Sequence, residues 1–138
     1  MLDLDTARNY LDSGNYTCVV CKGTTVHYAT ERGVNPLVTW LDSDLDLQGF
    51  SAADKVVGRA TAFLYCLLGV VTVHANVMSR PAAQVLKQHG IGVSYGQLVE
   101  GIINRRGTGP CPFESAVLHI SDPQEALAAI RAKMQSMQ

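Results

Sequence analysis

Residues 70 to 77 read VVTVHANV, and the run lies between two stretches with helical spacing. A strand this dense in valine suits burial on both faces, which is the situation of a central strand covered by helices. Upstream, Ser51 to Leu68 places Val56, Val57, Ala60, Phe63, Leu64, Leu67 and Leu68 on one broad apolar arc, and Gly69 stops it. Downstream, Ser79-Arg80-Pro81 opens AAQVLKQH, which ends at Gly90 before a second strand, IGVSYG. Helix, strand, helix, strand in succession demands a layered α/β architecture.

The remaining segments fit that frame. Leu2, Leu4, Ala7, Tyr10 and Leu11 give a short first helix closed by Gly14, and YTCVVCKG with TTVHYA forms a hairpin turning at Lys22-Gly23. Pro36 opens a short helix through Trp40 and Leu41, after turn-like Glu31-Arg32-Gly33. GQLVEGIINR reads as helical and RRGTGP as a loop. Cys111-Pro112-Phe113-Glu114 and Asp122-Pro123-Gln124-Glu125 each start a helix. The expectation is one domain over 1–138, an α/β/α sandwich in three layers with a mixed sheet.

Composition excludes several roles. A net charge of -1 gives no basic surplus for a phosphate backbone, so nucleic acid is not the expected partner. The longest apolar stretch, Ala62 to Val77, is interrupted by Gly69 and carries His74 and Asn76, so it reads as core and not as a membrane span. The first residues, MLDLDTARNYL, are acidic and amphipathic, unlike a signal peptide, and the 4 cysteines are scattered. Both features point to the cytoplasm and reduced thiols.

The chemistry concentrates at the start of the helix expected from Ser51. Ser51 reads as its N-cap and Asp54 as the capping-box acid. Lys55 and Arg59 stand four apart, where like charges repel unless an anion lies between them. Gly58 costs about 1 kcal/mol against alanine inside a helix, which a close approach by another group would explain. The amides of a helix start add donors for an anion. The same residues also serve a plain structural role, with Asp54 as a cap, the two cations solvated, and Gly58 admitting a neighbouring element.

Other candidates carry less. Cys18 and Cys21 are three apart in a strand, so they face opposite sides of the sheet and form no metal or redox pair. Cys111, between two prolines at a helix start, is the thiol best placed for a lowered pKa, with Glu114 as the capping glutamate of the same helix. His27, His74, His89 and His119 are scattered, and no metalloprotease, P-loop or nucleophile-elbow pattern is present. Asn104 and Arg105 open a basic, glycine-rich stretch able to reach a phosphate.

The order of elements resembles the cytidine deaminase-like fold. Zinc deaminases place His-x-Glu and Pro-Cys-x-x-Cys at two successive helix starts. Here those places read Ala53-Asp54-Lys55-Val56 and Ser79-Arg80-Pro81-Ala82, so no metal is expected. The chain resembles more closely the family catalogued as domain of unknown function 1893. Glu31-Arg32-Gly33 with Pro36-Leu37, Ala53-Asp54-Lys55-Val56-Val57-Gly58-Arg59-Ala60, Val93-Ser94-Tyr95-Gly96, Ile103-Asn104-Arg105 and Cys111-Pro112-Phe113-Glu114 carry the resemblance. It implies the sandwich without zinc, no cofactor and no defined reaction. It also puts the polar helix start in the corner where the deaminases work.

Three functions compete. In the first, a small anionic, nucleotide-like ligand binds at Asp54, Lys55, Gly58 and Arg59, with Ser79, Asn104, Arg105, Cys111 and Glu31 around it. The second is a metal-independent enzyme using Lys55 or Cys111. The third is a non-catalytic structural or interaction protein whose corner is filled by its own side chains. Self-association into a homo-oligomer is compatible with all three.

Overall fold

The computed structural model describes residues 2–103, 107, 109 and 111–137. The elements run α1 (Asp3–Ser13), β1 (Cys18–Lys22), β2 (Thr25–Ala29), α2 (Asn35–Asp42), β3 (Ser51–Val57) and α3 (Arg59–Leu68). They continue with β4 (Thr72–Ser79), α4 (Arg80–Gln88), β5 (Gly92–Val99), α5 (Pro112–Ala116) and α6 (Pro123–Ser136). The strands form one mixed sheet in the order β2-β1-β3-β4-β5. β1 is antiparallel to both β2 and β3, whereas β3, β4 and β5 are parallel.

The parallel half dictates where the helices go, because each crossover must carry the chain back over a sheet face. α3 and α4 are those crossovers, and with α2 and α6 they bury the main core around Phe63, Leu64, Tyr65, Val73, Leu86 and Ile130. The opposite face holds a smaller cluster in which α1 sets Ala7 and Leu11 against Val19, Cys21 and Ala53. Cys18 belongs to the first cluster and Cys21 to the second, as the two-residue period of a strand requires. The mixed α/β sheet flanked by helices is therefore the architecture read from the valine-rich run.

Two element assignments change. Ser51 to Leu68 is not one helix: residues 51–57 are the central strand β3, and the helix begins only at Arg59. Ser51-Ala52-Ala53 has helical propensity, but the segment is paired on both edges and covered on both faces, and tertiary context overrides a weak local preference. Ser51 is consequently no N-cap and Asp54 no capping-box acid; Gly58 takes the N-cap position of α3. Gln97-Leu98-Val99, expected to be helical, complete β5. Ser79 and Asp122 do cap their helices, accepting from the amides of Ala82 and Glu125, and α3 ends at Gly69 in the left-handed conformation with φ 79°.

Halfway along, the parallel strands change phase together. Asp54 pairs with Ala75 and Val56 with Val77, while Ala75 pairs with Tyr95 and Val77 with Gln97. Between these pairs lies the row Lys55, Asn76, Gly96. Ala52 and Val57 both reach the main core, as do Ala75 and Met78, and Val93 and Leu98. Simple alternation would send the members of each pair to opposite faces. Gly96 permits the kink, since a Cβ there would lie 2.9 Å from the Asn76 carbonyl oxygen.

Candidate functional site

The kink delivers the carboxyl ends of β3 and β4 to the starts of α3 and α4, the corner expected to bind. Alternation from Ala53 turns Asp54 toward α3, and Lys55 stands in the kink row itself. Lys55 is exposed, while Asp54 is buried and accepts a 2.7 Å hydrogen bond from the Tyr65 hydroxyl. Its other oxygen accepts from the Val56 amide at 3.2 Å. Burial raises the Asp54 carboxyl to about 7 against the opposing hydrogen bonds from Tyr65, Val56 and Lys55. Burial first, then the Asp54 charge, pushes both the Tyr65 phenol and the Cys18 thiol upward. Cys18, Asp54 and Tyr65 thus form one dry polar cluster joining β1, β3 and α3.

A carboxylate of the chain itself lies at the start of α3. Both oxygens of the Glu114 carboxylate accept from the first amides of α3, Arg59 N at 2.6 Å and Ala60 N at 2.8 Å. These are donors that a helix start leaves without intrahelical partners, at the positive end of its dipole. Gly58 is explained by the same contact: a Cβ there would sit 2.7 Å from the Glu114 carboxyl carbon and 2.9 Å from Ile102 Cγ1. Arg59 is committed to α3 and the α5–α6 connection. Its guanidinium donates to the Val117 carbonyl at 3.2 Å and to the Ile120 carbonyl, and it stacks over Phe63 at 5.0 Å from the ring centre. Lys55 lies in β3 and Arg59 opens α3, so the two do not share a helix face, which corrects the i, i+4 helical spacing read from the sequence.

The other expected site residues divide. Ser79 is fully buried and committed to its cap, with Ala82 N 3.1 Å from its hydroxyl. Cys111 is half-buried at the N-cap of α5, its amide donating to the Ile102 carbonyl at 2.9 Å. Glu31 reaches the corner only through backbone: Thr17 accepts from the Lys55 amide at 3.0 Å and donates its hydroxyl to the Glu31 carbonyl at 2.6 Å. Its side chain borders a separate concavity of about 280 Å³ with Tyr28, Pro36, Thr39 and Trp40. Asn104 and Arg105 lie outside the described residues. Among the described residues no three His, Cys, Asp or Glu side chains converge as ligands of a metal, and no helix is long and apolar enough to cross a membrane.

Sequence reasoning missed Glu114 as the partner of α3 and Tyr65 as the partner of Asp54. Glu114 shows only the signature of a local cap, and nothing in it announces a bond to amides 54 and 55 residues earlier.

The profile of the family described as Domain of unknown function (DUF1893) matches residues 6–134. The chain belongs to the DUF1893 family. A crystal structure of a DUF1893 family protein from Thermotoga maritima is similar at 25% identity with a TM-score of 0.86, over 94% of this chain and 88% of that one. A dCMP deaminase from the cyanophage S-TIM5, in apo form, is a distant likeness at 17% identity and TM-score 0.45, over 67% of this chain and 92% of that one. No curated protein matches the sequence. In this DUF1893 protein the stretches that carry the resemblance include β3 with the start of α3, the Val93–Gly96 part of β5, and the Cys111–Glu114 segment that closes α3.

Proposed function

We propose that this DUF1893 protein is a non-catalytic interaction module whose polar corner is closed by its own Glu114. One observation carries the reading: a carboxylate of the same chain holds both leading amides of α3, at 2.6 and 2.8 Å. An outside anion has to displace a tethered group whose effective concentration is on the order of millimolar or higher. Asp54, Arg59 and Ser79 are likewise committed to partners inside the protein. Calorimetric titration with a panel of nucleotides and inorganic phosphate tests this, using the wild type, Glu114→Gln and Lys55→Ala. The wild type is expected to give no binding heat, and Glu114→Gln to acquire weak phosphate binding. Binding to the wild type that Lys55→Ala abolishes would overturn the proposal.

That second outcome belongs to the anion-binding reading, in which a small nucleotide-like ligand exchanges with Glu114. Lys55 favours it: the side chain is exposed and has no ion-pair partner among the described residues, at the end of the strand that leads into α3. The enzyme reading asks Lys55 or Cys111 for enhanced nucleophilicity. Labelling either group faster than the corresponding free amine or thiol would bring it forward.

A further inference from the structure

β5 is an edge strand, and it lacks the devices that keep edges apart. The other edge, β2, spans only 5 residues, whereas β5 spans 8, GVSYGQLV, with no charged residue and no proline. Short length, lysine and proline are the ordinary protections of an exposed ladder. Among the described residues, the backbone of 93–99 makes no hydrogen bond beyond its ladder with β4.

The kink gives β5 a further property. Two copies of a strand related by a twofold axis perpendicular to the sheet keep their faces, so paired residues must point to the same side. In a regular strand of 8 residues, end-to-end antiparallel pairing breaks this condition, because residue one and residue eight face opposite ways. The phase change at Gly96 restores it. Val93 and Leu98 both pack on the main core. Ser94 faces the α1 side, where its hydroxyl lies 2.7 Å from His74 Nδ1, and alternation from Leu98 puts Gln97 on that side too.

We propose that β5 pairs with β5 of a second copy, antiparallel and in full register, to make a dimer with one continuous sheet. Val93 then lies opposite Leu98, Ser94 opposite Gln97, Gly92 opposite Val99, and Tyr95 covers Gly96 of the other copy. Apolar meets apolar, polar meets polar, and the 41% exposed Tyr95 ring shields a glycine. The register also brings Glu100, which ion-pairs with Arg80 of its own chain at 3.1 Å, beside the end of α4 in the other copy.

Sedimentation and light scattering across the micromolar range test the assembly. The wild type is expected at twice its 14.9 kDa chain mass, and Tyr95→Lys with Gln97→Lys at the chain mass with unchanged circular dichroism. Ser94→Cys combined with Gln97→Cys is expected to form an intermolecular disulfide on oxidation, well beyond either single variant or the wild type. A wild type that is monomeric throughout, a dimer that survives the two lysines, or crosslinking by Ser94→Cys alone to the same extent overturns the proposal.

Discussion

Asp54 and Gly58 are four residues apart and define the corner in different ways. Asp54 has a folded pKa raised to about 7, against about 3.9 in an unfolded chain. The folded state therefore holds the extra proton, so this contribution to stability is complete below the unfolded value and lost as pH rises toward and through 7. For one proton the limiting slope is about 1.4 kcal/mol per pH unit. His74 works in the opposite sense: burial, then Arg8, lowers its pKa against Asp12, so its contribution is lost on acidification. Asp54→Asn keeps an acceptor for Tyr65 and isolates the carboxyl. Urea unfolding at a series of pH values should show wild-type stability falling relative to this variant between about pH 4 and 7, and parallel curves would refute the assignment. Gly58→Ala meets the Glu114 carboxyl carbon at 2.7 Å although the backbone, at φ -98°, accepts any residue. A loss of about 1–3 kcal/mol is expected, shrinking when Glu114→Ala is already present, as a double-mutant cycle measures.

Strand β3 shows how far local pattern reaches. The valine-rich β4, the Ser79 and Asp122 caps, and the Gly69 stop were legible because each depends on residues within a turn of itself. Ser51-Ala52-Ala53 misleads because its small residues serve a different constraint. Ala52 and Ala53 are fully buried in the two opposed cores, where large side chains would hold the helix layers off the sheet. That requirement comes from neighbours on four sides, and a linear pattern does not display it. The candidate site was half legible for the same reason: Asp54, Gly58 and Arg59 stand out as polar or small residues in an apolar run, whereas their partners Tyr65, Glu114 and Ile120 come from other elements. At this scale the row Lys55-Asn76-Gly96 is also testable. Gly96→Ala brings a Cβ to 2.9 Å from the Asn76 carbonyl oxygen, a backbone atom with little room to yield. It should cost about 1–3 kcal/mol in chemical unfolding. Alanine at exposed Gly101, which has open space, should cost far less.

Across the whole molecule, two surfaces of the sheet have different fates. One face carries the main core under α3 and α4, and the other is covered by α1 over β1 and β3. The DUF1893 likeness to the Thermotoga maritima structure extends over nearly all of this arrangement. The corner joins its late and middle parts: Arg59 grips carbonyls of Val117 and Ile120 while Glu114 grips the amides of Arg59 and Ala60. Arg59→Met should release the α5–α6 connection. Amide exchange is expected to quicken in α5 and at Val117–Ile120 before it does in β3 or β4. This reciprocal clasp sets a timetable for a chain emerging from the ribosome. The sheet centre and its first crossover are made early, yet α3 has a bare end until Glu114 arrives to close it. A nascent chain stalled before that point should hold its strands with a loose, protease-sensitive helix between them.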